Sequence, residues 1–147
     1  MKMLNWKRRL LMVALMLLAS GVVGKELFAA ATVTELNEQN YRKEITLSGK
    51  CIVMYYAAAW KYTAEGKAFM KELQHKFPYV TFFAVDLKKF KRKAEVDKIF
   101  AEDISAGQVP SFIGYAKGRV VIRNAGAPLS EKETKEALNS FVGVIGQ

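Results

Sequence analysis

Six consecutive residues, 51–56, all carry apolar or aromatic side chains, and this run limits the possible folds more than any other segment. A strand with one exposed face alternates polar and apolar residues, whereas a short continuous run is typical of a strand covered on both faces. Ser48, Gly49 and Lys50 form a turn signal before the run. The sequence therefore predicts a central strand whose sheet has other layers packed on both sides.

The segments on either side of this strand have helical spacing. Residues 37–47 predict a short helix before the turn. After the strand, Thr63 is the expected N-cap of a second helix, and Pro78 ends its pattern. The apolar residues expected on the inner side of this second helix are Phe69, Met70, Leu73 and Phe77.

The rest of the chain predicts three more strands. Residues 80–85 form a second buried run, and residues 111–115 and 119–123 are strand candidates. Lys117 and Gly118 lie between the last two and predict a hairpin turn.

Two further helices are predicted. Residues 88–103 indicate a strongly charged helix, and residues 130–142 a terminal helix that begins with a capping box of Ser130 and Glu133. The expected inward residues are Phe90, Ala94, Ile99 and Phe100 in the charged helix, and Ala137, Leu138 and Phe141 in the last one. Helices alternating with strands, followed by a hairpin and a last helix, indicate a mixed α/β sheet.

This order of elements, together with local motifs, resembles the thioredoxin-like family. The matching motifs, in chain order, are Ser48-Gly49-Lys50, an alanine-rich turn ending at Trp60, Phe83-Ala84-Val85-Asp86, Val109-Pro110-Ser111-Phe112, Lys117-Gly118 and Ala125-Gly126-Ala127. The resemblance implies a thioredoxin-like three-layer α/β sandwich, in which a central mixed sheet of four to five strands carries helices on both faces.

The family's redox motif, Trp-Cys-Gly-Pro-Cys, falls on residues 60–64, which here read Trp60-Lys61-Tyr62-Thr63-Ala64. Lys61 stands at the position of the attacking cysteine and Ala64 at that of the resolving cysteine. The family's buried acid falls at Tyr55. Thiol–disulfide exchange needs a thiolate and a second thiol. The resemblance therefore implies a redox-inactive protein with no catalytic residues at this site.

The resemblance also implies a peptide-binding groove. In the family, the backbone of the residue before a cis-proline pairs with an extended peptide, and this role falls to Val109 and Pro110. Trp60, Lys61, Tyr62 and Thr63, here called the Trp60 turn, would line one side of the groove, and Gly126 the other. The alternative is that Trp60 and Tyr62 only pack the turn.

The chain has one cysteine, Cys51, which has two interpretations. It is either a small buried core residue or an unpaired reactive thiol that could support residual oxidoreductase activity. With one histidine, His75, and no Cys/His cluster at zinc spacing, we expect neither a metal nor a cofactor.

The N-terminus resembles a targeting segment. Lys2, Lys7, Arg8 and Arg9 precede a run of apolar residues, 10–23, which is shorter than the roughly 18 to 20 residues of a membrane-spanning helix. Small residues before Thr32 suit cleavage after Ala31. The sequence predicts a signal peptide over residues 1–31 and a thioredoxin-like domain over residues 32–147, located in the periplasm, in the cell envelope or outside the cell. An uncleaved membrane anchor is the alternative.

Residues 32–147 contain 18 basic and 13 acidic residues, a mild excess of positive charge. The densest basic run is Lys88, Lys89, Lys91, Arg92 and Lys93, interrupted only by Phe90. This run is either a solvated helix face or a site for an acidic partner or an anionic membrane surface. Export argues against nucleic acid.

Three functions remain open on the sequence alone. The favoured one is a non-redox protein that binds a polypeptide of unknown identity. The alternatives are a structural or regulatory subunit of a membrane-associated assembly and a thiol-dependent oxidoreductase acting through Cys51.

Overall fold

The computed structural model describes residues 33–57, 63–104, 109–124 and 130–147, and all of them belong to one unit, Val33–Gln147. The strands are β1 (Thr34–Leu36), β2 (Lys50–Tyr56), β3 (Thr81–Asp86), β4 (Ser111–Ala116) and β5 (Arg119–Arg123). The helices are α1 (Tyr41–Leu47), α2 (Thr63–Lys76), α3 (Lys93–Lys98) and α4 (Glu131–Ile145), with a 3₁₀ turn at Leu87–Lys89 and a π-helix at Ile99–Ile104. The predicted leader, residues 1–31, lies outside the described residues.

The five strands form one mixed sheet in the order β1-β3-β2-β4-β5. Strands β1, β3 and β2 are parallel, while β4 pairs antiparallel with β2 and β5 antiparallel with β4. The predicted central strand is therefore the middle strand of the sheet, paired on both sides. This arrangement confirms the predicted thioredoxin-like α/β architecture.

Alternate residues of the central strands point into two separate cores, which explains the continuous apolar run. One core lies under α2 and α4 and contains Ile52, Met54, Phe82, Phe112, Met70, Leu73, Leu138 and Phe141. The other lies under α1 and the π-helix and contains Cys51, Val53, Tyr55, Phe83, Val85, Ile113, Tyr115, Ile45 and Ile99. Since both faces are covered, no position of β2 after Lys50 needs a polar side chain.

The C-terminal half confirms two local predictions. The β4–β5 hairpin turns at Lys117 and Gly118, whose φ angles of 52° and 77° are those of a tight hairpin turn. Helix α4 begins after Ser130, whose side chain accepts a hydrogen bond from the backbone N–H of Glu133 at 3.1 Å. The helix continues to Ile145, three residues beyond the predicted end, because Val142 and Ile145 still pack into the core.

The predicted helix over residues 37–47 is wrong in its first turn, since α1 begins only at Tyr41. The side chain of Asn37 accepts hydrogen bonds from the backbone N–H groups of Gln39 and Asn40, and these bonds close a non-helical turn instead. Strand β1 was not predicted, because its three residues include only one buried position, Leu36.

The single charged helix predicted over residues 88–103 is also wrong. The chain forms a 3₁₀ turn, an extended link through Phe90 and Arg92, the short helix α3 and then the π-helix. Of the basic run, only Lys93 lies in an α-helix, and Ala94 is exposed rather than inward. Phe90 and Phe100 are half-buried and Ile99 is fully buried, as expected for the inner side. The second buried strand is shifted by one residue, to Thr81–Asp86.

Candidate functional site

The carboxyl ends of β1, β2 and β3 meet at one edge of the sheet, and α2 begins after β2 at this edge. Because β4 is antiparallel to β2, its first residue, Ser111, pairs with Tyr55 near the same edge. From β2 the chain crosses to β3 on one side and later to β4 on the other. A position where the connections from a strand go to opposite sides is a topological switch point. The crevice at a switch point is the usual ligand site of an open α/β sheet.

Several of the predicted site residues come together at this edge. Thr63 is the first residue of α2, and Ala64 is exposed in its first turn. Val109 and Pro110 immediately precede β4, Pro110 is buried, and the bond between them is cis as expected. The other predicted groove residues, Trp60, Lys61, Tyr62 and Gly126, lie outside the described residues.

Tyr55, at the position of the family's buried acid, is completely buried. Its hydroxyl lies 2.8 Å from that of Tyr115, and either oxygen can donate the hydrogen bond. Burial raises the pKa of both hydroxyls well above the ordinary value for tyrosine. Tyr55 is therefore neutral at physiological pH and does not supply the carboxylate that the family uses as a proton acceptor.

A buried carboxylate does exist nearby, but it comes from Asp103 in the π-helix, which is 3% exposed. Arg42 in α1 lies with its Nη1 2.7 Å from Asp103 Oδ2, and the hydroxyl of Tyr115 also hydrogen-bonds to this carboxyl. Burial raises the pKa of Asp103, although Arg42 and the Tyr115 hydrogen bond oppose the shift. No sequence pattern predicted this network, because its members come from three separate segments of the chain.

A second unpredicted cluster, here called the Glu35 cluster, joins β1, β2 and α2 at the carboxyl edge. Tyr56 donates a hydrogen bond to Glu35 Oε1 at 2.6 Å, and Lys67 donates to both Glu35 and the hydroxyl of Tyr56. Burial alone would raise the pKa of Glu35, but the hydrogen bonds from Lys67 and Tyr56 lower it below its ordinary value. The cluster holds the second turn of α2 against the edge strand.

Cys51 lies at the opposite end of β2 and is completely buried. Its Sγ is 3.9 Å from the carbonyl oxygen of Ile45, and burial raises the pKa of its thiol to about 12. These contacts are those of a core residue.

The five basic residues of the run 88–93 are all exposed, next to the carboxyl end of β3. Within the described residues, no group of three or more His, Cys, Asp or Glu side chains is arranged to hold a metal ion. No helix in this described part is both long and apolar enough to cross a membrane.

No family model matches the sequence. A thioredoxin H-type protein from Fagopyrum esculentum is 34% identical over 116 residues, which are 78% of this chain and 92% of the relative. The crystal structure of thioredoxin NaTrxh from Nicotiana alata matches with a TM-score of 0.59 at 17% identity, over 78% of this chain and 92% of its own. The oxidised thioredoxin from Plasmodium falciparum gives a TM-score of 0.58 at 18% identity, over 75% and 98%. The two solved structures share the mixed sheet with helices on both faces.

Proposed function

Since this chain belongs to the thioredoxin-like family, we propose that it is a non-redox member that binds polypeptides. The binding face consists of the Trp60 turn and the Val109–Pro110 segment. We further propose that residues 1–31 export the protein, leaving Thr32 as the first residue of the mature chain.

The observation that carries the proposal is the position of the only cysteine. Cys51 and Tyr56 are at opposite ends of β2, and five residues of a strand span about 16 Å. A thiol with a pKa of about 12 is ionised in only about one molecule in 10⁵ at pH 7. The thiol is therefore buried, protonated and remote from the edge where the family carries out exchange, which also argues against an oxidoreductase acting through Cys51.

Peptide binding at this edge needs no thiol. Strand addition uses backbone N–H and C=O groups for affinity and neighbouring side chains for selectivity. Thr63 and Val109 lie at the same edge of the sheet, which supports a groove between α2 and the start of β4. Trp60 and Tyr62 would supply the aromatic contact surface that polypeptide interfaces favour.

The test uses Trp60→Ala and Tyr62→Ala, with Tyr79→Ala as the matched control. Tyr79 is a 54% exposed tyrosine just before the amino end of β3, away from the proposed groove. The probe is S-carboxymethylated insulin B chain, an extended polypeptide without free thiols, and the readouts are the dissociation constant and the melting temperature.

We expect each groove variant to weaken binding at least about tenfold while the melting temperature changes by no more than about 2 °C. Tyr79→Ala should bind as the natural chain does. Unchanged binding in both groove variants would contradict the proposed binding face. A fall in melting temperature large enough to explain the loss of binding would show that the two aromatic residues belong to the core.

N-terminal sequencing of the protein isolated from its cells tests export. A mature chain beginning at Thr32 supports cleavage, whereas the full-length chain in the cytosol excludes export.

A further inference from the structure

We propose that the lysine segment, residues 88–93, docks this protein on an anionic phospholipid surface. The contacting groups are the ammonium groups of Lys88, Lys89, Lys91 and Lys93, all of which are exposed. The lysine segment follows β3, whereas the proposed peptide groove lies between α2 and the start of β4.

The backbone of the lysine segment is fixed at several points. Asp86 Oδ1 accepts a hydrogen bond from the N–H of Lys88 at 3.0 Å. Further along, the Glu38 carboxylate accepts from the N–H groups of Lys91 at 3.3 Å and Arg92 at 2.9 Å. Between them, the ring of Phe90 packs inward. The segment is therefore a preformed surface, so docking on it need not order a loop.

Phe90, whose ring is half-buried, anchors the middle of the lysine segment to the domain. Its ring lies 5.4 Å from that of Tyr41 in α1 and contacts the same core. Lys89 and Lys91, on either side of it in the chain, remain exposed. One aromatic residue thus attaches the segment to the domain while its neighbours face the solvent.

Among the described acidic groups of this region, only Glu35 is influenced by the ammonium group of a lysine of the segment, since the charge of Lys89 is one of the smaller causes that lower the pKa of Glu35. Glu38 is only 8% exposed, and its Oε1 also accepts a hydrogen bond from Nε of Arg92 at 2.9 Å. Glu95 accepts a hydrogen bond from Tyr41 and lies 3.6 Å from Arg92. Asp86 is 5% exposed and caps the 3₁₀ turn. Arg92 is therefore paired twice, whereas in the described part of the chain none of the four lysines makes a salt bridge.

The chemistry of the unpaired groups favours lipid over an acidic peptide. Arginine is the residue that recognises carboxylates and phosphates through two parallel hydrogen bonds, and the one arginine here is already committed to Glu38. Lysine ammonium groups act as point charges. A flat array of lipid phosphates and carboxylates can pair with several such charges without a binding groove. Each lysine close to an anionic membrane strengthens binding about fivefold, or about 1 kcal/mol.

The experiment compares the full chain with a variant in which Lys88, Lys89, Lys91 and Lys93 are all replaced by glutamine. A second variant with the same net charge replaces four exposed lysines elsewhere, Lys71, Lys76, Lys117 and Lys132. Flotation measures binding to phosphatidylcholine vesicles with and without about one-third phosphatidylserine. All three proteins carry the same leader. The ratio of binding to the phosphatidylserine vesicles over binding to the phosphatidylcholine vesicles therefore isolates the contribution of the lysines.

We expect this ratio to fall by about a hundredfold or more in the lysine-segment variant and by less than about threefold in the control variant. Binding of the natural chain to the anionic vesicles should also weaken as salt is raised. Equal losses in the two variants, or equal binding of the natural chain to both vesicles, would overturn the proposal. Binding of labelled polyglutamate through these lysines without binding to vesicles would overturn it in favour of an acidic protein partner.

Discussion

Replacing Arg42 by methionine should destabilise the domain, because it leaves Asp103 as a buried carboxylate without its positive partner. The two charges approach to 2.7 Å, and the Asp103 side chain is almost inaccessible to water. Removing one member of a buried ion pair costs about 3 to 5 kcal/mol. The Arg42 side chain is partly exposed and the Tyr115 hydroxyl remains, so we expect a smaller loss of about 2 to 3 kcal/mol at neutral pH.

This loss should depend on pH in a specific direction. The pKa of Asp103 in the folded chain is already raised by burial above its ordinary value of 3.8, so ionising this group costs the folded state. Protonated Asp103 therefore contributes to the free energy of unfolding. This contribution is fully present below the pKa of the unfolded chain and is lost as pH rises through the pKa of the folded chain. Without Arg42 the folded pKa rises further, so the cost of the substitution should be largest at pH 7 and should shrink near pH 4.

Urea denaturation followed by circular dichroism at these two pH values measures the effect. The matched control adds Asp103→Asn to Arg42→Met, which removes the unpaired charge and should recover much of the lost stability at pH 7. A loss that is equal at both pH values, or one below about 0.5 kcal/mol, would refute the argument that an ionised, buried Asp103 depends on Arg42.

Two further predictions follow from the packing. Native Cys51 should react with iodoacetamide at pH 8 at least about a thousandfold more slowly than in the urea-unfolded chain, because its thiol is buried and its pKa is about 12; comparable rates would show an accessible thiol. Gly114→Ala should lower the free energy of unfolding by about 1 to 3 kcal/mol, since its new Cβ would overlap with Ile145 Cδ1 and Ile122 Cγ2. Gly143→Ala meets nothing within 4 Å and should stabilise α4 by about 0.5 to 1 kcal/mol. Equal effects of the two glycine substitutions in urea denaturation would contradict the packing.

The fold could be predicted from the sequence wherever burial leaves a periodic pattern. The run 51–56 indicates a strand covered on both sides because its residues alternate between the two cores. The hairpin at Lys117 and Gly118 and the cap at Ser130 are local devices, visible in two to four residues. These elements needed no knowledge of distant partners.

The predictions that were wrong or missing concern contacts that join distant parts of the chain. Residues 88–103 have the composition of a helix, but Glu38, more than fifty positions earlier, binds the backbone at Arg92 and holds that residue extended. The Asp103 network and the Glu35 cluster likewise assemble side chains from separate elements. No local pattern encodes such pairings, and β1 was too short to have one.

The candidate site was predictable only in part. Val109 and Pro110 lie just before β4, near the edge where α2 begins, and the cis bond between them was expected from the resemblance. The hydrogen-bonded partner of Tyr55 could not be anticipated, because Tyr115 pairs with it through its side chain across the sheet, 60 positions away.

Reduction of insulin disulfides by dithiothreitol, with and without this protein, decides whether the chain retains dithiol chemistry. We predict that the natural chain does not accelerate the reaction, and that the double variant Lys61→Cys, Ala64→Cys does, because it restores two thiols at the spacing and helix start that the family uses. Acceleration by the natural chain that disappears in Cys51→Ser would contradict the assignment of a non-redox function.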